Sequence, residues 1–337
     1  MFFEDILGQD DAKRLFKAQI QQDKPGHAYI LNGEDGSGKT MLAEAFAAGI
    51  NCEAGEGRPC CQCHSCKQAM SHNHPDIIYL DLYEDNKKKT KKKSYGVDDI
   101  RNKINATVDI APYNGRYKVY IIDDAQAMGV ESQNALLKTI EEPPEYVIIL
   151  LLTNNAGSFL QTIISRCIQI DTRPLPDETI RGILKKEYNM VDYEVDVCVS
   201  FAQGNLTKAR NLASSEEFHG IKDSVVGILK KIHSITTADM NDYVVVLKKD
   251  DSRIGEYLNL FTLWYRDVLL YKSTGSDKGV IFREDLFTLK TQSSRYSYDG
   301  LNRIFEAIEE VKRNLSANVN FELTLELMLI TMKESYT

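Results

Sequence analysis

The chain has 337 residues, 43% of them hydrophobic, which is enough for two or three domains with packed cores. Its formal net charge of −8 disfavours a surface dominated by nonspecific DNA binding and leaves room only for a local basic patch. No apolar run is long enough to span a membrane, the acidic N-terminus lacks the basic start of a secretory signal, and the seven cysteines are odd in number and mostly clustered, so we expect a reduced, cytoplasmic protein.

The first predicted feature is a glycine-rich loop, residues 33–40, which follows an apolar strand and opens onto a helical pattern. Its sequence, Gly-Glu-Asp-Gly-Ser-Gly-Lys-Thr, has the spacing and the context of a phosphate-binding loop. The glycines would let backbone N–H groups surround an anion, the lysine would reach the outer phosphates, and the threonine hydroxyl would hold Mg²⁺. The alternative is an ordinary glycine-rich turn between a strand and a helix. We expect ATP or ADP with Mg²⁺ to bind at Gly33, Gly36, Gly38, Lys39 and Thr40.

Cysteine spacing gives the second signal, within residues 52–66. Four thiolates in one short segment suit tetrahedral Zn²⁺, and because no coordination position is left open, the site should be structural rather than catalytic. The predicted ligands are Cys52, Cys60, Cys63 and Cys66. Cys61 is left without a role, and His64, His72 and His74 compete as ligands. The alternative is a set of free surface thiols.

A lysine run follows the next predicted strand, residues 77–80. Six lysines occupy the seven positions between Lys87 and Lys93. Such a run cannot be packed and predicts a solvated loop, with contact to DNA phosphates as the less common outcome.

A second buried strand, residues 119–122, ends in two carboxylates, Asp123 and Asp124. Asp123 has the position of the aspartate that holds Mg²⁺ in phosphate-loop ATPases, and Asp124 that of the residue that activates the attacking water. An aspartate there is one methylene shorter than a glutamate, and a misplacement of about 1 Å can cost on the order of 100-fold in rate. Nucleotide binding is therefore better supported than hydrolysis. The alternative is that Asp124 only caps the next helix.

The remaining strands and helices complete an alternating pattern. A helical segment stops at Pro143 and Pro144, and a fully apolar strand then ends at Thr153. Alternating buried strands and helices predict an α/β fold with a parallel sheet and nucleotide at the carboxyl ends of its strands, which adds Thr153 to the candidate nucleotide-binding residues. Beyond this sheet the chain reads as helical without a catalytic signature, and its single tryptophan, Trp264, is expected to pack in a helical core.

Several motifs together resemble the clamp-loader branch of the AAA+ ATPases, and within it the delta-prime subunits of bacterial DNA polymerase III. Beside the phosphate loop and the cysteine segment, the matching stretches are residues 27–29, 73–76, 134–138, 141–144, 162–167 and 318–329. The resemblance implies an AAA+ domain with a zinc-knuckle insert (52–66) over residues 1–172, a helical lid over 173–214 and a helical collar over 215–337. It also implies a pentameric loader that closes a ring-shaped sliding clamp on primer–template DNA, with gamma/tau motor subunits and a delta subunit as partners.

The resemblance assigns a role to Arg166, within the stretch Ser165-Arg166-Cys167. In the family this arginine is presented to ATP bound on the neighbouring subunit, where a guanidinium suits the charge that builds on the γ-phosphate. The alternative is a local salt bridge at the end of a strand.

Two residues bear on the choice between a delta-prime-like subunit and a gamma/tau-type motor. Motor subunits carry an arginine on the lid helix at the position of Thr207, and a hydroxyl cannot contact phosphate as a cation. Together with Asp124, Thr207 favours the subunit that does not hydrolyse ATP itself. The intact phosphate loop points the other way, so a self-sufficient ATPase motor is the alternative.

Overall fold

The computed structural model of the chain describes residues 3–82, 94–249, 253–316 and 319–336. The lysine run from Lys87 to Lys93 lies outside these residues, so the prediction of a solvated loop is not tested. The chain divides into two compact units, one made of Met1–Pro176 with Gly204–Thr207 and the other of Asp177–Gln203 with Lys208–Thr337. We call them the sheet unit and the helical unit. The predicted boundary between a lid and a collar near residue 214 stays a prediction.

The sheet unit contains a parallel sheet of five strands in the order β2-β3-β4-β1-β5. The strands are β1 Ala28–Asn32, β2 Ile77–Leu80, β3 Lys118–Ile122, β4 Val147–Thr153 and β5 Ile168–Asp171. All residues of β3 and β4 are buried, as expected where helices cover both faces of a parallel sheet. The phosphate loop follows β1 and the two aspartates follow β3, so both lie at the carboxyl edge. The predicted α/β fold with its parallel sheet is confirmed.

Helices cover the two faces of this sheet and build a core on each. They are α1 Asp10–Gln22, α2 Lys39–Ile50, α3 His64–Met70, α4 Val97–Ile100, α5 Val130–Glu141 and α6 Gln161–Ile164, with a π-helical turn at Arg101–Asn105. On one face the rings of Phe16 and Phe46 stack with centroids 4.2 Å apart, and Tyr29 meets both edge-on. On the other face Leu136 and Ile163 are fully buried. The first of these cores fixes α2, which carries the phosphate loop at its start.

The helical unit is built from helices packed around aromatic side chains. They include α7 Asp177–Glu187, α8 Asp192–Ala202, α10 Glu216–Lys231, α11 Thr237–Lys249, α12 Ile254–Thr274, α13 Leu286–Arg295, α14 Tyr298–Ser316 and α15 Phe321–Glu334, and α9 Leu206–Ala213 begins in the sheet unit. Trp264 is fully buried and donates from Nε1 to Oε1 of Gln292 at 2.7 Å, which confirms that it packs in a helical core. Among the helices in the described ranges, none combines the length and the apolar character needed to cross a membrane.

Candidate functional site

The phosphate loop has the backbone conformation that its glycines allow. Gly36 has φ 77° and Gly38, the residue before α2, has φ 93°, both in the left-handed region that favours glycine. A Cβ atom at Gly36 would lie 2.6 Å from Oδ1 of Asn205. A side chain would therefore be strained at both positions and would also meet Asn205 at Gly36, and the first N–H groups of α2 stay open towards the loop.

Lys39 is buried inside this loop. Its Nζ donates to the carbonyl oxygens of Glu34 at 2.9 Å and of Gly33, and lies 3.7 Å from Oδ1 of Asp35. Burial lowers the pKa of Lys39, and the nearby carboxylates of Asp35 and Asp123 offset part of that effect. A phosphate at this position would supply the anionic partner that best stabilises the ammonium group.

A cavity of about 390 Å³ opens beside Lys39, a volume within the range typical of small-ligand sites. Its lining residues are Asp35, Gly36, Gly38, Lys39, Thr40, Met41, Asp123, Asp124 and Thr207. Gly33 and Thr153, also predicted to bind nucleotide, are not in this lining. The N–H of Gly33 donates to the carbonyl of Thr153 at 3.0 Å, and the Thr153 hydroxyl accepts from the N–H of Asn155. These two residues therefore join the start of the phosphate loop to the end of β4.

The two aspartates after β3 differ in their surroundings. Burial raises the pKa of Asp123 and the charge of Asp124 adds to this, whereas the N–H of Asp124 at 3.0 Å from Oδ1 and the Lys39 ammonium oppose the shift. Asp124 adopts a left-handed backbone, φ 48°, and its Oδ1 accepts from Nε2 of Gln126 at 3.0 Å. Its side chain makes no capping bond to the turn that follows, so the carboxylate is directed by Gln126 rather than by a helix end.

Two polar residues that the sequence pattern does not reveal, Gln9 and Asn205, hydrogen-bond to the backbone of the phosphate loop. Gln9 donates from Nε2 to the carbonyls of Ser37 at 3.2 Å and Arg173 at 2.7 Å, and its Oε1 accepts from the Arg173 N–H at 2.9 Å. The amide of Asn205 donates to the carbonyl of Asp35. Both side chains come from distant parts of the chain, so no local spacing could have identified them.

The four predicted cysteine ligands meet in one cluster. The sulfurs of Cys52, Cys60, Cys63 and Cys66 all lie within 4.8 Å of one another, and those of Cys52 and Cys63 are 3.9 Å apart. In a tetrahedral site with Zn–S bonds of about 2.3 Å the sulfurs are about 3.8 Å apart, so the cluster fits a metal ion of this kind.

Backbone N–H groups point at these sulfurs. The Cys60 N–H lies 3.4 Å from the Cys52 sulfur, and the Cys63 N–H 3.4 Å from the Cys60 sulfur. Burial raises the pKa of the Cys52 and Cys66 thiols. The N–H groups of Gln62 and Cys63 instead lower the pKa of the Cys60 thiol to about 6. Such donors stabilise thiolates, the form in which cysteine binds a metal. Cys61 turns aside, with φ 55° and its sulfur towards the carbonyl of Pro59.

The competing histidines are placed elsewhere. His74 accepts from the N–H of Asp76 at Nδ1, 3.1 Å, so its Nε2 carries the proton and faces the Ser65 hydroxyl at 3.0 Å. His72 pairs with Glu44 at 3.6 Å. Within the described residues the candidate metal cluster contains cysteines alone.

The Asp76 carboxylate, which local spacing did not single out, anchors a loop. It is buried and accepts from the N–H groups of Tyr113 at 2.6 Å and of Asn114 and Gly115 at 2.7 Å. Burial alone would raise the pKa of Asp76, but these three bonds hold it below its usual value.

Arg166 lies after α6 and is partly exposed. Its Nη2 is 3.1 Å from Oε1 of Glu141, and its Nη1 donates to the carbonyl of Thr162 at 3.0 Å. The local ion pair that was its alternative explanation is therefore present in the isolated chain. Because both partners are more than 40% exposed, the pair contributes only about 0–1 kcal/mol, so another anion could replace Glu141.

A family model for the delta subunit of DNA polymerase III matches residues 8–176, and one for the C-terminal part of that subunit matches residues 228–334. The chain is 29% identical to the DNA polymerase III subunit tau of Bacillus subtilis, over 99% of this chain and 62% of the relative, and so spans less than two thirds of that protein. It is 27% identical to the delta′ subunit of the same organism, over 97% of this chain and 96% of the relative. A gamma subunit-related protein of known structure from Thermotoga maritima is 22% identical, with a TM-score of 0.47, over 96% of this chain and 99% of that one.

Proposed function

Because the chain belongs to the DNA polymerase III delta-subunit family of clamp-loader proteins, we propose that it is a delta-prime-like subunit of the DNA polymerase III clamp loader. In this role it works in the cytoplasm with gamma/tau motor subunits and a delta subunit to place the sliding clamp on primer–template DNA. The nearly full-length match to a delta′ relative supports this assignment.

The observation that carries the proposal is the make-up of the nucleotide cavity. Thr207 lines it where a motor subunit would present an arginine, and a hydroxyl cannot neutralise phosphate charge. Asp124 lies one methylene short of the position of a glutamate base and is directed by Gln126. We infer that the chain retains nucleotide without turning it over at an appreciable rate.

Nucleotide binding itself rests on Lys39, Thr40 and Asp123, which line the same cavity. Lys39 would meet the outer phosphates, while Thr40 and Asp123 would hold the Mg²⁺ of ATP or ADP. When bound, the nucleotide supplies a fixed anionic centre that orders the phosphate loop. The function proposed for it here is structural.

Arg166 is the residue that we propose acts on a neighbouring motor subunit. Its guanidinium is partly exposed and contacts Glu141, the carbonyl of Thr162 and the hydroxyl of Ser165 at the surface, so assembly can redirect it at small cost. There it would neutralise charge that develops on the γ-phosphate oxygens of the neighbour's ATP. A planar guanidinium spans two such oxygens, which an ammonium does not.

The cysteine cluster is proposed to hold one structural Zn²⁺ per chain. The spacing of its four sulfurs fits tetrahedral coordination, and four thiolates leave no position for a substrate. Bound zinc would fix the segment that follows α2.

One observation favours the alternative of a gamma/tau-type motor. The phosphate loop has every glycine, its lysine and its threonine in place, and the tau relative is slightly more similar in sequence, at 29% identity against 27% for the delta′ relative. Steady-state ATP hydrolysis by the isolated chain, with and without primed DNA, separates the two functions. Turnover on the order of 1 s⁻¹ or faster would favour the motor.

Reconstitution of the loader tests the delta-prime role. The complex contains motor subunits, delta, clamp and this chain carrying Arg166→Ala. Its rates of DNA-stimulated ATP hydrolysis and clamp loading should fall about tenfold or more. This loss is smaller than the effect of a trans arginine at a single active site, because the loader has several active sites. Arg166→Lys should restore only part of the rate. Arg14→Ala, which removes another exposed arginine paired with an acid, is the matched control. Wild-type rates with Arg166→Ala would assign Arg166 to the local ion pair alone.

A further inference from the structure

Asn51, the residue after α2, joins two elements through its side chain. It is 3% exposed, and its amide makes two bonds to the backbone of Tyr117, with Nδ2 donating to the carbonyl at 3.0 Å and Oδ1 accepting from the N–H at 2.9 Å. A paired donor and acceptor of this kind copies the bonding of a neighbouring strand residue. The junction therefore ties the end of α2 to the start of β3.

The cysteine cluster is attached to the same point. Cys52 follows Asn51 directly, and the Ser65 hydroxyl donates to the Asn51 carbonyl at 2.7 Å. The sulfur of Cys66 lies 4.0 Å from the carbonyl of Ala48 in the last turn of α2. The carbonyl end of α2 is thus closed by residues whose positions depend on the cluster.

The opposite ends of α2 and β3 are the ends that form the nucleotide site. Lys39 begins α2, which at 1.5 Å per residue places it about 18 Å from Asn51, and Asp123 follows β3 directly. The hydrogen-bonded sheet fixes β3, but the helix is held to it by side-chain packing. The buried face of α2 includes large side chains such as Phe46 as well as alanines, and apolar packing of this kind is not directional. The two hydrogen bonds of Asn51 add a directional contact that sets the end of α2 against the start of β3.

We propose that Asn51 is a positioning residue through which metal occupancy of the cysteine cluster sets the affinity of the phosphate loop for nucleotide. The inference rests on the proposed nucleotide and zinc sites and adds a coupling between them. A bound metal fixes Cys52 and Cys66, these fix Asn51 and the end of α2, and the helix carries Lys39 and Thr40 into register with Asp123. By linkage, bound nucleotide must in turn slow the loss of metal.

Titration calorimetry with Mg·ADP on the full chain tests this coupling, with zinc loaded and with zinc stripped by a chelator under reducing conditions. Removing zinc from the wild type should raise the Kd for ADP about fivefold or more, at the low end of typical couplings. Zinc-loaded Asn51→Ala should show a similar rise, and stripping zinc from it should add little. Asn73→Ala, which removes a neighbouring exposed asparagine, is the matched control and should behave as the wild type.

The outcomes separate this inference from the function on which it rests. Absence of ADP binding by the zinc-loaded wild type would overturn the nucleotide site and the coupling together. Equal Kd values with and without zinc, or an equal effect of zinc in wild type and Asn51→Ala, would overturn the coupling alone. If Asn51→Ala does not fold, hydrogen exchange of the wild type decides. Stripping zinc should then speed exchange in α2 more than in β4, and equal changes would contradict the proposal.

Discussion

The sheet unit and the helical unit both bury charged side chains, but they surround them differently. In the sheet unit Lys39 borders the cavity, and burial lowers its pKa. In the helical unit Lys222 is equally buried, yet its Nζ lies 3.1 Å from the Tyr193 hydroxyl and 4.7 Å from the centre of that ring, with Glu194 at 3.5 Å. Burial alone would lower the pKa of Lys222, and these partners raise it instead.

A buried carboxylate of the helical unit, Asp267, differs from Asp123 in its partners but not in the direction of its pKa shift. Asp267 is fully buried, accepts from the N–H groups of Ile281 at 2.7 Å and Phe282 at 2.9 Å, and pairs with Arg266 at 3.0 Å. Its pKa is raised by burial, as is that of Asp123. A shifted pKa therefore does not distinguish the two units. A binding site is indicated only where the shifted group also borders open volume.

The largest difference between the units should appear on replacing a buried cysteine in each. Cys66→Ser should reduce the metal content from one zinc per chain to nearly none, because three thiolates bind zinc far less tightly than four. Cys198→Ser removes an equally buried thiol from α8 and should leave the metal content unchanged. Elemental analysis of the purified proteins measures both. If the wild type folds without metal and all four thiols of the cluster titrate freely, the metal site is refuted.

The second comparison replaces the two buried lysines. Lys39→Ala should weaken ADP binding by about 100-fold or more, because the phosphate loop loses its cation. Lys222→Ala should leave ADP binding unchanged while lowering the free energy of unfolding by about 1–3 kcal/mol, since its polar partners lose their bonds. Titration calorimetry and urea unfolding give the two values. Comparable ADP affinities for the two variants would remove the functional distinction between the units.

The smallest effect concerns the pH dependence of the buried carboxylates. Because the folded-state pKa of Asp76 is lowered, its contribution to folding stability is present above the unfolded-state pKa of about 3.9 and is lost as pH falls through the folded-state pKa. Asp76→Asn should lower the free energy of unfolding by about 1–3 kcal/mol near pH 7 and reduce the further loss of stability below about pH 4.

Asp267 should behave in the opposite sense. Its folded-state pKa is raised, so its contribution to folding stability is complete below the unfolded-state pKa and is lost as pH rises through the folded-state pKa. Urea unfolding of Asp76→Asn and Asp267→Asn between about pH 2 and pH 8 compares them. Parallel pH profiles for the two variants would mean that the assigned directions are wrong.

The parts of the site that could be predicted from the sequence are those whose residues are close together in the chain. The cysteine cluster lies within residues 52–66 and the phosphate loop within 33–40, so spacing alone placed their ligands together. Gln9, Asn51 and Asp76 could not be found in this way. Their partners lie 28 to 164 residues away and meet them only in the folded sheet unit. Buried polar side chains that bond to distant backbone carry no periodic or local pattern.

The contact between Asn51 and Gly115 has a consequence for natural variation. A Cβ atom at Gly115 would lie 2.6 Å from Oδ1 of Asn51, so any larger residue there would displace the amide from Tyr117. Relatives that keep asparagine at position 51 must then keep glycine at position 115. Relatives that lose this asparagine no longer need the glycine. These two sites, 64 positions apart in the chain, should therefore change together in the evolutionary record of the family, whatever happens to the cysteines beside them.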